Sequence, residues 1–511
     1  MVKFFKKYHK WIGIIITLFM LFFAVSGIVL NHRQLFASLD VPRQYLPDNY
    51  SYNNWDLGSV KKVTHINKDS CLVYGNIGVW LSDKNLSQFT DFSRGFPKGI
   101  DHKKISKIHQ TKKGQLFAGT LFGLYRYNRD TQAWEQQPLP SVRDPRIVDI
   151  TEKEDTLLVL SRSFVFSSTD GRQFKKHQLI NPEGYDGKVS LFKTLWIIHS
   201  GEIYGNIGKL FVDGIALIFI FLTITGLILF INPYMVKKKK IKHKAIQKYQ
   251  RSNRWNLKWH NRIGWTTIIL LLITTITGMF LRPPLLIAIM SGKVKKIPYT
   301  ILDDDNAWFD QLRVIHYNEA TQNYIIGTIG GMYYAKDIFN DPPQLFKHDI
   351  PISVMGITVF EQKSAYEYLI GSFEGLFLWH TQTGEILDYI TQKPYVAPTR
   401  KGPPIGNYLV SGYMNNYKSQ EAFFDYHKGF CAIDGQPIPL PMPDDIAQQP
   451  VSLWNIMLEV HTARVFQPLI GFLYILIVPL VGLLTVFVLI SGLVVWYKRH
   501  YKKHIRIGCL V

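Results

Sequence analysis

Long runs of apolar residues, separated by polar stretches, set the organisation of this chain. Four runs reach the length of about 20 residues that a helix needs to cross a lipid bilayer. They cover residues 11–30, 210–231, 263–281 and 468–496. The fourth run contains Pro479, where we expect a kink or tilt. The pattern predicts four transmembrane helices. The first run is counted among them and not as a cleaved signal peptide, because it is longer than a signal peptide's apolar core and no clear Ala-x-Ala cleavage site follows it.

The two stretches between these runs have a different pattern. They consist of short β-type runs rich in aromatic residues and bounded by glycines and polar turns. A glycine-aromatic motif recurs in them, with four clear copies and two weaker ones. The clear copies hold Gly78, Gly123, Gly331 and Gly375, and the weaker copies lie at residues 163–171 and 428–435. The motif therefore recurs about every 40–50 residues, which is typical of the four-stranded blades of a β-propeller.

Each outer stretch holds three copies of the motif, and three blades do not close a ring. The simplest solution is one six-bladed ring built from both stretches, and the alternative is two separate β-rich domains. Cys71 and Cys431 would then lie in the first and last blades, which are neighbours in a ring. They would form either a closing disulfide, if the compartment is oxidising, or two buried thiols.

The predicted fold is a membrane α-helical bundle with a β-rich periplasmic domain. The bundle has four transmembrane helices in two repeated two-helix units, and the periplasmic domain is a six-bladed propeller of two three-blade halves. The predicted segments are residues 1–32 (N-terminus and first helix), 33–193 (blades 1–3), 194–232 (second helix), 233–262 (basic loop), 263–282 (third helix), 283–451 (blades 4–6), 452–497 (fourth helix) and 498–511 (basic tail).

Charge predicts the orientation of the helices. The chain of 511 residues has a net charge of +21. The first ten residues, residues 232–262 and the tail after Tyr497 carry four, eleven and five basic residues and no acidic one. This positive-inside pattern places both termini and the middle loop in the cytoplasm of an inner-membrane protein. The run Lys237 to Lys240 is therefore interpreted as an anchor that attracts anionic membrane lipid, not as a nucleic-acid site.

Two histidines occupy repeat-related positions at the cytoplasmic ends of the first and third helices. His9 is followed by Gly13 and, after an uncharged apolar segment, by the pair Ser26 and Gly27. His260 is followed at the same distances by Gly264 and by the pair Thr277 and Gly278. A membrane protein that twice places a histidine at the mouth of an apolar helix has the features of a cofactor site.

Two more histidines, His199 and His461, precede the second and fourth helices from the outer side. We therefore predict one histidine pair at each face, His9 with His260 and His199 with His461. Two imidazoles from facing helices are the axial ligands that a b-type haem needs, so two haems are predicted. His32, directly after the first helix, is an alternative outer ligand. Without a metal, these histidines would be interfacial residues that hydrogen-bond lipid or backbone.

Glycines near these histidines have two interpretations. Gly13 and Gly264 lie one turn from a histidine and could leave room for a flat macrocycle or a neighbouring helix. Four deeper glycines could serve the same purpose or simply allow close helix packing. The deeper glycines are Gly27, Gly226, Gly278 and Gly492.

Several of these motifs resemble a known family. The His9, Trp11 and Gly13 opening, the serine- or threonine-glycine pairs, the His199-Ser200-Gly201 sequence and the ending at residues 491–499 resemble the PepSY-associated transmembrane helix family. That family includes bacterial inner-membrane ferrisiderophore reductases with four helices, bis-histidine b haems and a periplasmic domain. Thr462-Ala463 departs from the family's usual threonine-glycine, and the outer stretches look like propeller blades instead of PepSY modules.

The resemblance implies a transmembrane ferric reductase. Electrons would pass from the cytoplasmic side to a ferric chelate or siderophore outside, and the donor would be quinol or a separate cytoplasmic reductase. The middle loop of about 30 residues is too short for a flavin or nicotinamide domain, and it has no glycine-rich dinucleotide motif. No catalytic acid or base is predicted, because the haems would carry the chemistry. The alternative is a membrane-anchored periplasmic sensor or binding protein without redox turnover.

Overall fold

The chain folds into two compact units. The computed structural model describes residues 2–241, 246–353, 355–397 and 406–508. The helical unit comprises Met1–Phe36, Gly187–Asp304 and Trp454–Val511, and the sheet unit comprises Ala37–Asp186 and Asp305–Leu453. Residues 242–245 of the predicted basic loop and 509–511 of the predicted tail lie outside the described residues.

The helical unit contains nearly all of the described helices. In chain order the helices are α1 (Val2–Asn31), α2 (Arg33–Phe36), α3 (Leu191–Ser200), α4 (Gly205–Ile241), α5 (Gln247–Thr266), α6 (Ile268–Phe280), α7 (Leu285–Ile289), α8 (Asp444–Ala447), α9 (Leu453–His461), α10 (Gln467–Ile470) and α11 (Ile477–Gly508). Helix α8 belongs to the sheet unit. Helix α1 packs against both α4 and α11, so these three long helices form the centre of the helical unit.

Within the part of the chain that the structure describes, three helical spans are long and apolar enough to cross a membrane. They are Val2–Asn31, Glu202–Lys240 and Arg464–Lys498. The number rises to four if α5 and α6, which are bent by 68° relative to each other, together form one crossing. The bend occurs at Thr267, between the polar helix that carries His260 and the apolar helix that carries Thr277.

The fourth predicted run differs from a single kinked helix. Helix α10 ends at Ile470, a 3-10 segment follows over Gly471–Leu476, and α11 begins at Ile477. Pro479 therefore lies in the first turn of α11. A proline is tolerated there because the amide that it lacks would have no partner within the helix.

The helices that carry His199 and His461 are both followed by a residue with left-handed backbone. Helix α3 ends at Ser200 and is followed by Gly201, with φ of 77°, and Ala463, two residues after the end of α9, has φ of 58°. Gly201 also packs so closely on Gly208 that a Cβ atom there would lie 2.1 Å from the Gly208 carbonyl oxygen. The chain therefore turns sharply after each of these histidines, and neither helix continues directly into α4 or α11.

The sheet unit is built from antiparallel meanders. The strands of the whole chain are β1 (Asp40–Val41), β2 (Val60–His65), β3 (Ser70–Gly75), β4 (Gly78–Asp83), β5 (Phe89–Asp91), β6 (Ile105–Gln110), β7 (Leu116–Thr120), β8 (Gly123–Asn128), β9 (Ala133–Gln137), β10 (Ile147–Lys153), β11 (Thr156–Ser161), β12 (Val165–Ser168), β13 (Lys175–His177), β14 (Lys188–Ser190), β15 (Lys293–Lys295), β16 (Leu312–Asn318), β17 (Asn323–Thr328), β18 (Gly331–Ala335), β19 (Gln344–Leu345), β20 (Val359–Gln362), β21 (Glu367–Ser372), β22 (Gly375–His380), β23 (Ile386–Asp388), β24 (Lys393–Pro394), β25 (Val410–Tyr417), β26 (Gln420–Asp425), β27 (Gly429–Ala432) and β28 (Val451–Ser452). Strands β14 and β15 pair with each other in the helical unit.

Five larger sheets account for most of the sheet unit. Strands β6 to β9, β10 to β13 and β16 to β19 form four-stranded sheets, and β20 to β24 form a five-stranded sheet. The fifth sheet has seven strands, because β2 to β5 join β25 to β27 through a parallel contact of Lys62 with Tyr413. The first and last meanders of the sheet unit are thus connected directly.

The recurring glycine of the sequence motif has a structural reason. Gly78, Gly123, Gly331, Gly375 and Gly429 each begin the third strand of a meander, and each has a positive φ, between 78° and 149°. Backbone in that region is strained for other residues, so glycine is the residue that suits these hairpin turns.

Six hydrophobic clusters pack each meander against the next. Representative pairs are Tyr74 with Ile108, Phe117 with Ile150, Leu158 with Ile315, Ile325 with Tyr368, Leu369 with Tyr413, and Val73 with Phe424. The last pair connects the first meander with the final one. Burial of each large side chain contributes about 1.5–3 kcal/mol to stability.

The two cysteines predicted to be neighbours are not bonded. Cys71 in β3 and Cys431 in β27 are both buried free thiols in the seven-stranded sheet. They belong to different hydrophobic clusters. Burial is the largest cause that raises the pKa of each thiol to about 12, so both are protonated and unreactive at neutral pH.

Candidate functional site

His9 and His260 lie beside each other in the helical unit. Helix α1 carries His9 and α5 carries His260, and their ring centroids are 6.3 Å apart. The two ring planes are nearly perpendicular, at 87°. We call this arrangement the inner pair. It brings together two residues that are more than 250 positions apart in the sequence.

Both rings of the inner pair are held through Nδ1. His9 Nδ1 lies 2.9 Å from the Val488 carbonyl oxygen and 3.1 Å from Ser491 Oγ. His260 Nδ1 lies 2.9 Å from Thr225 Oγ1. A carbonyl oxygen can only accept a hydrogen bond, so His9 carries its proton on Nδ1 and Nε2 keeps a lone pair. Metal-binding histidines are held in the same way, with the other ring nitrogen donating to a carbonyl or carboxylate.

His199 and His461 form a second, equivalent arrangement, the outer pair. Their ring centroids are 6.1 Å apart and their planes are inclined by 53°. His199 Nδ1 lies 2.9 Å from the Thr274 carbonyl oxygen and 3.4 Å from Thr277 Oγ1. Helix α3 therefore holds its histidine against α6.

His461 of the outer pair is anchored on α1 in the corresponding way. Its Nδ1 lies 2.9 Å from Ser26 Oγ and 3.1 Å from the Phe23 carbonyl oxygen. The Ser26 hydroxyl donates to the Phe22 carbonyl oxygen at 2.6 Å, so its oxygen is available to accept from the imidazole. The four histidines thus share one pattern, in which Nδ1 contacts a hydroxyl and the ring also contacts a backbone carbonyl.

The glycine beside each hydroxyl makes room for the ring. A Cβ atom built on Gly278 would lie 2.6 Å from His199 Cε1, and one on Gly492 would lie 3.0 Å from His9 Cε1. The corresponding distances are 3.4 Å for Gly27 with His461 and 3.5 Å for Gly226 with His260. The deeper glycines identified in the sequence therefore accommodate imidazole rings.

The glycines one turn after the histidines have no such contact. Nothing lies within 4 Å of a Cβ atom at Gly13, and only Leu222 approaches one at Gly264, at 3.8 Å. These two positions leave open space beside the inner pair. That is compatible with the prediction that they leave room for a large planar group.

His32 does not join the outer pair through its Nε2 atom. That atom lies 2.5 Å from Asp213 Oδ2, and Asn31 Nδ2 donates to Asp213 Oδ1 at 3.0 Å. The nitrogen that would be the natural metal ligand is therefore engaged with a carboxylate. Asp213 itself is buried, and His32 with Asn31 accounts for its two carboxylate oxygens.

The spacing of each pair suits two imidazoles that share one metal ion. A metal–imidazole bond is about 2 Å long, and the ring centre lies about 1 Å beyond the nitrogen, so two such ligands in line place their centroids about 6 Å apart. The measured separations are 6.3 Å and 6.1 Å.

The sequence predicted which histidines would be neighbours but missed the groups that orient them. Thr225 and Ser491 were not predicted as site residues, although each precedes one of the singled-out glycines. The shared signal was present, because all four hydroxyl-glycine pairs follow one pattern: Ser26-Gly27, Thr225-Gly226, Thr277-Gly278 and Ser491-Gly492.

Comparison with solved structures returned distant matches. One is the extracellular domain of the one-component system BT4673 from B. thetaiotaomicron, with 12% identity, coverage of 75% of this chain and 39% of that chain, and a TM-score of 0.33. Another is the extracellular domain of the hybrid two-component system BT3049 from the same organism, with 10% identity, coverage of 74% and 40%, and a TM-score of 0.34. The chain spans about two-fifths of the length of these matched chains.

The sequence itself gives a clearer assignment. No curated protein matches the chain. Residues 109–499, which include three of the four paired histidines and most of the sheet unit, match the sequence profile of the PepSY-associated TM region. This match covers well over half of the chain and agrees with the resemblance of its histidine and glycine motifs. The chain therefore belongs to the PepSY-associated TM region family.

Proposed function

We propose that this protein is an inner-membrane b-haem protein that moves electrons from the cytoplasmic side to a ferric chelate outside. His9 and His260 would hold one haem, and His199 and His461 would hold a second. When bound, the haems supply one-electron redox chemistry, and the protein contributes axial ligation, burial and positioning. The donor would be quinol or a separate cytoplasmic reductase.

The observation that carries the proposal is the repeated geometry of the two histidine pairs. Each pair has a centroid separation of about 6 Å, and each of its rings has Nδ1 engaged with neighbouring helices. This leaves Nε2 as the coordinating atom on every ring. Interfacial histidines that merely bond lipid or backbone would have no reason to repeat this arrangement twice.

The distance between the two pairs along α1 supports electron movement across a membrane. His9 belongs to the inner pair, and Ser26 of the same helix contacts His461 of the outer pair. Seventeen residues of helix at 1.5 Å per residue span about 26 Å. The hydrocarbon core of a bilayer is about 30 Å thick, so one pair would lie near each face.

The residues between the two pairs keep this region dry. Ala24, Ile215, Phe219 and Leu271 form a buried apolar cluster within the helical unit. A low-dielectric interior disfavours stray charge and holds the imidazoles in their neutral, coordinating form. We propose that α5 and α6 together complete the fourth crossing, which gives two equivalent two-helix units.

We further propose that the sheet unit is a six-bladed propeller built from two three-blade halves. The support is the set of six clusters that pack each meander against the next, including the last against the first. The parallel contact of β2 with β25 would close the ring. Reduction of a chelated ferric ion near this unit would give a ferrous ion, which binds hard oxygen ligands less strongly. The iron would therefore be released from the chelate.

Absorption spectra of the purified protein test the haem proposal. We expect b-type bands that sharpen on dithionite reduction. The haem content of His9→Ala and that of His461→Ala should each be about half that of the unchanged protein, because each change removes one axial ligand of one haem. His427→Ala is the matched control, since His427 is exposed in the sheet unit, and should keep full haem content.

Two results would contradict the proposal. One is a colourless, correctly folded preparation from haem-replete cells, which would favour a membrane-anchored binding protein. The other is unchanged haem content in both histidine variants. For the haem-containing protein, stopped-flow reduction of a ferric chelate by the dithionite-reduced protein measures whether the bound haems pass electrons onward.

A further inference from the structure

Five basic side chains gather at one end of four consecutive meanders in the sheet unit. Lys61, Lys104, Arg146 and Arg313 each lie within one residue of the beginning of β2, β6, β10 and β16, the first strands of their meanders. Arg162 lies in the turn between β11 and β12. Such a set of like charges at equivalent positions was not evident in the sequence, where the five residues are scattered over 250 positions.

Backbone contacts hold these strand ends together. Ser106 Oγ, at the beginning of β6, donates to the Ile147 carbonyl oxygen of β10 at 2.6 Å. Ile147 is paired with Ser161, which places Arg146 and Arg162 beside each other across a hairpin. The Leu312 amide of β16 then donates to the Arg162 carbonyl oxygen at 3.0 Å.

Acidic groups lie among these basic groups. Asp101 lies 2.7 Å from Lys104, and Asp310 lies 3.0 Å from Arg162. Asp310 and Asp144 are close enough to act on Arg313. The charges that act on Lys61 are all basic, those of Arg146, Lys104 and Arg162, so the surroundings of this amine are positively charged.

The surrounding protein partly buries four of the five basic groups. The Lys104 side chain is 11% exposed and that of Arg162 is 29% exposed, and Arg146 and Arg313 are half-buried. Desolvation is the largest cause that lowers the pKa of Lys61 to about 8 and that of Arg313 to about 10. We call this set of partly enclosed basic groups the basic recess.

One arginine in the recess also has an unused donor. Arg162 Nε is buried and has no hydrogen-bond partner among the residues that the structure describes. Its Nη1 atom is bound to Asp310. A buried guanidinium donor without an acceptor is costly, and a bound oxyanion would relieve that cost.

We propose that this basic recess, formed by Lys61, Lys104, Arg146, Arg162 and Arg313, binds a small anionic ligand that carries several carboxylate groups. Arginine matches carboxylates in a two-point geometry, and a cluster of basic groups attracts ligands of the opposite charge. Under the proposed function, on which this identification rests, the ligand is a ferric ion chelated by carboxylates. Ferric ions prefer such hard oxygen ligands.

The test uses gallium(III) citrate, a redox-inert stand-in for a ferric carboxylate chelate, with the full-length protein in detergent. We expect saturable binding by calorimetry that weakens as salt is added. The double variant Lys61→Gln, Arg313→Gln should bind at least about tenfold more weakly, which corresponds to about 1.4 kcal/mol. The control is Lys84→Gln, Arg172→Gln, which removes the same two charges from exposed positions and should bind normally.

A second measurement does not depend on the variants folding. Because the pKa of Lys61 is lowered, its amine is more reactive towards acetic anhydride at pH 8 than that of an ordinary surface lysine such as Lys84. Gallium citrate should protect Lys61 from acetylation and leave Lys84 unprotected, as read by mass spectrometry. Protection of neither lysine, or equal binding by the two double variants, would overturn the inference.

Two further arms separate the sources of binding. Inorganic phosphate that competes as strongly as gallium citrate would show a general oxyanion site and overturn the carboxylate assignment. The haem spectrum is recorded on the same samples. Normal haem bands without gallium citrate binding would reject anion binding by the basic recess and leave the proposed function standing. Gallium citrate binding without haem bands would reject the proposed function and leave anion binding by the recess standing.

Discussion

At the scale of single residues, the histidine sites depend on atoms that touch the imidazole on both sides. One neighbour is a hydroxyl that meets Nδ1, and the other is a glycine that leaves space at Cε1. A side chain larger than hydrogen at Gly278 would occupy the position of the His199 ring. The positions of the imidazole rings therefore depend on residues other than the histidines themselves.

The change Gly278→Ala should disable the outer pair and spare the inner one. Its new Cβ atom would lie 2.6 Å from His199 Cε1, so the ring must move away from the position facing His461. We expect loss of about half of the bound haem, measured by the pyridine haemochrome spectrum, because displaced ligands lose their coordination geometry.

Gly214→Ala in α4 is the matched control for this prediction. Nothing lies within 4 Å of a Cβ atom at Gly214, and alanine favours helix more than glycine does. Full haem content in Gly214→Ala together with reduced content in Gly278→Ala would support the packing argument. Equal haem content in the two variants would contradict it.

The sequence predicted which histidines would be neighbours but not the residues that position them. Equal spacing from His9 to Gly13 and from His260 to Gly264 revealed the repeat, because helical periodicity is local. Thr225 could not be assigned, because its contact with His260 depends on how two helices pack. That information lies in tertiary structure and is absent from any local pattern.

At the scale of elements, the junction of β2 with β25 connects two meanders that are about 350 residues apart in sequence. The approach is very close at Gly412, where a Cβ atom would lie 2.5 Å from the Val60 carbonyl oxygen and 2.7 Å from that of Lys61. Only glycine allows the two backbones to come this near. The sequence motif predicted the meanders, but not which strands would join them.

Gly412→Ala should weaken this junction. Its Cβ atom would press on rigid backbone, which we expect to cost about 1–3 kcal/mol, as overpacking does elsewhere. The measurement is the thermal midpoint of the β-sheet signal in far-ultraviolet circular dichroism. A lowering of several degrees is the expected result.

The comparison variant for this junction is Gly330→Ala. At Gly330 the nearest side-chain atom to a Cβ would be Thr328 Oγ1 at 3.8 Å, an ordinary contact distance, so the midpoint should hardly move. If the midpoint of Gly412→Ala stays within a degree of that of Gly330→Ala, the close approach of β2 and β25 does not contribute to stability.

At the scale of the whole molecule, charge and hydropathy predicted the division into helices and sheets. Apolar runs are a strong signal because a bilayer demands them, and the first, second and fourth runs lie in helical spans long enough to cross a membrane. The third run is divided between two helices bent at Thr267. This bend was not predicted, because a change in helix direction leaves no mark in hydropathy. The orientation in the membrane stays a prediction.

Cysteine labelling in intact spheroplasts tests that orientation. In a Cys509→Ser background, a membrane-impermeant maleimide should label Lys84→Cys, in the sheet unit, and should not label Lys238→Cys until the membrane is opened. Cys71 and Cys431 should remain unlabelled in both variants, because burial keeps their thiols protonated. Labelling of Lys238→Cys in closed spheroplasts would reverse the predicted topology.

Helix α1 takes part in both histidine pairs, through His9 at one end and Ser26 at the other. Inserting a single residue between them would turn the far end by about 100° and carry Ser26 away from His461. The stretch of α1 between His9 and Ser26 therefore cannot change in length by single residues without separating one of the two pairs from its contacts. A descendant adapted to a thicker or thinner bilayer would have to add or remove whole helical turns, and to do so in the opposing helices at the same time.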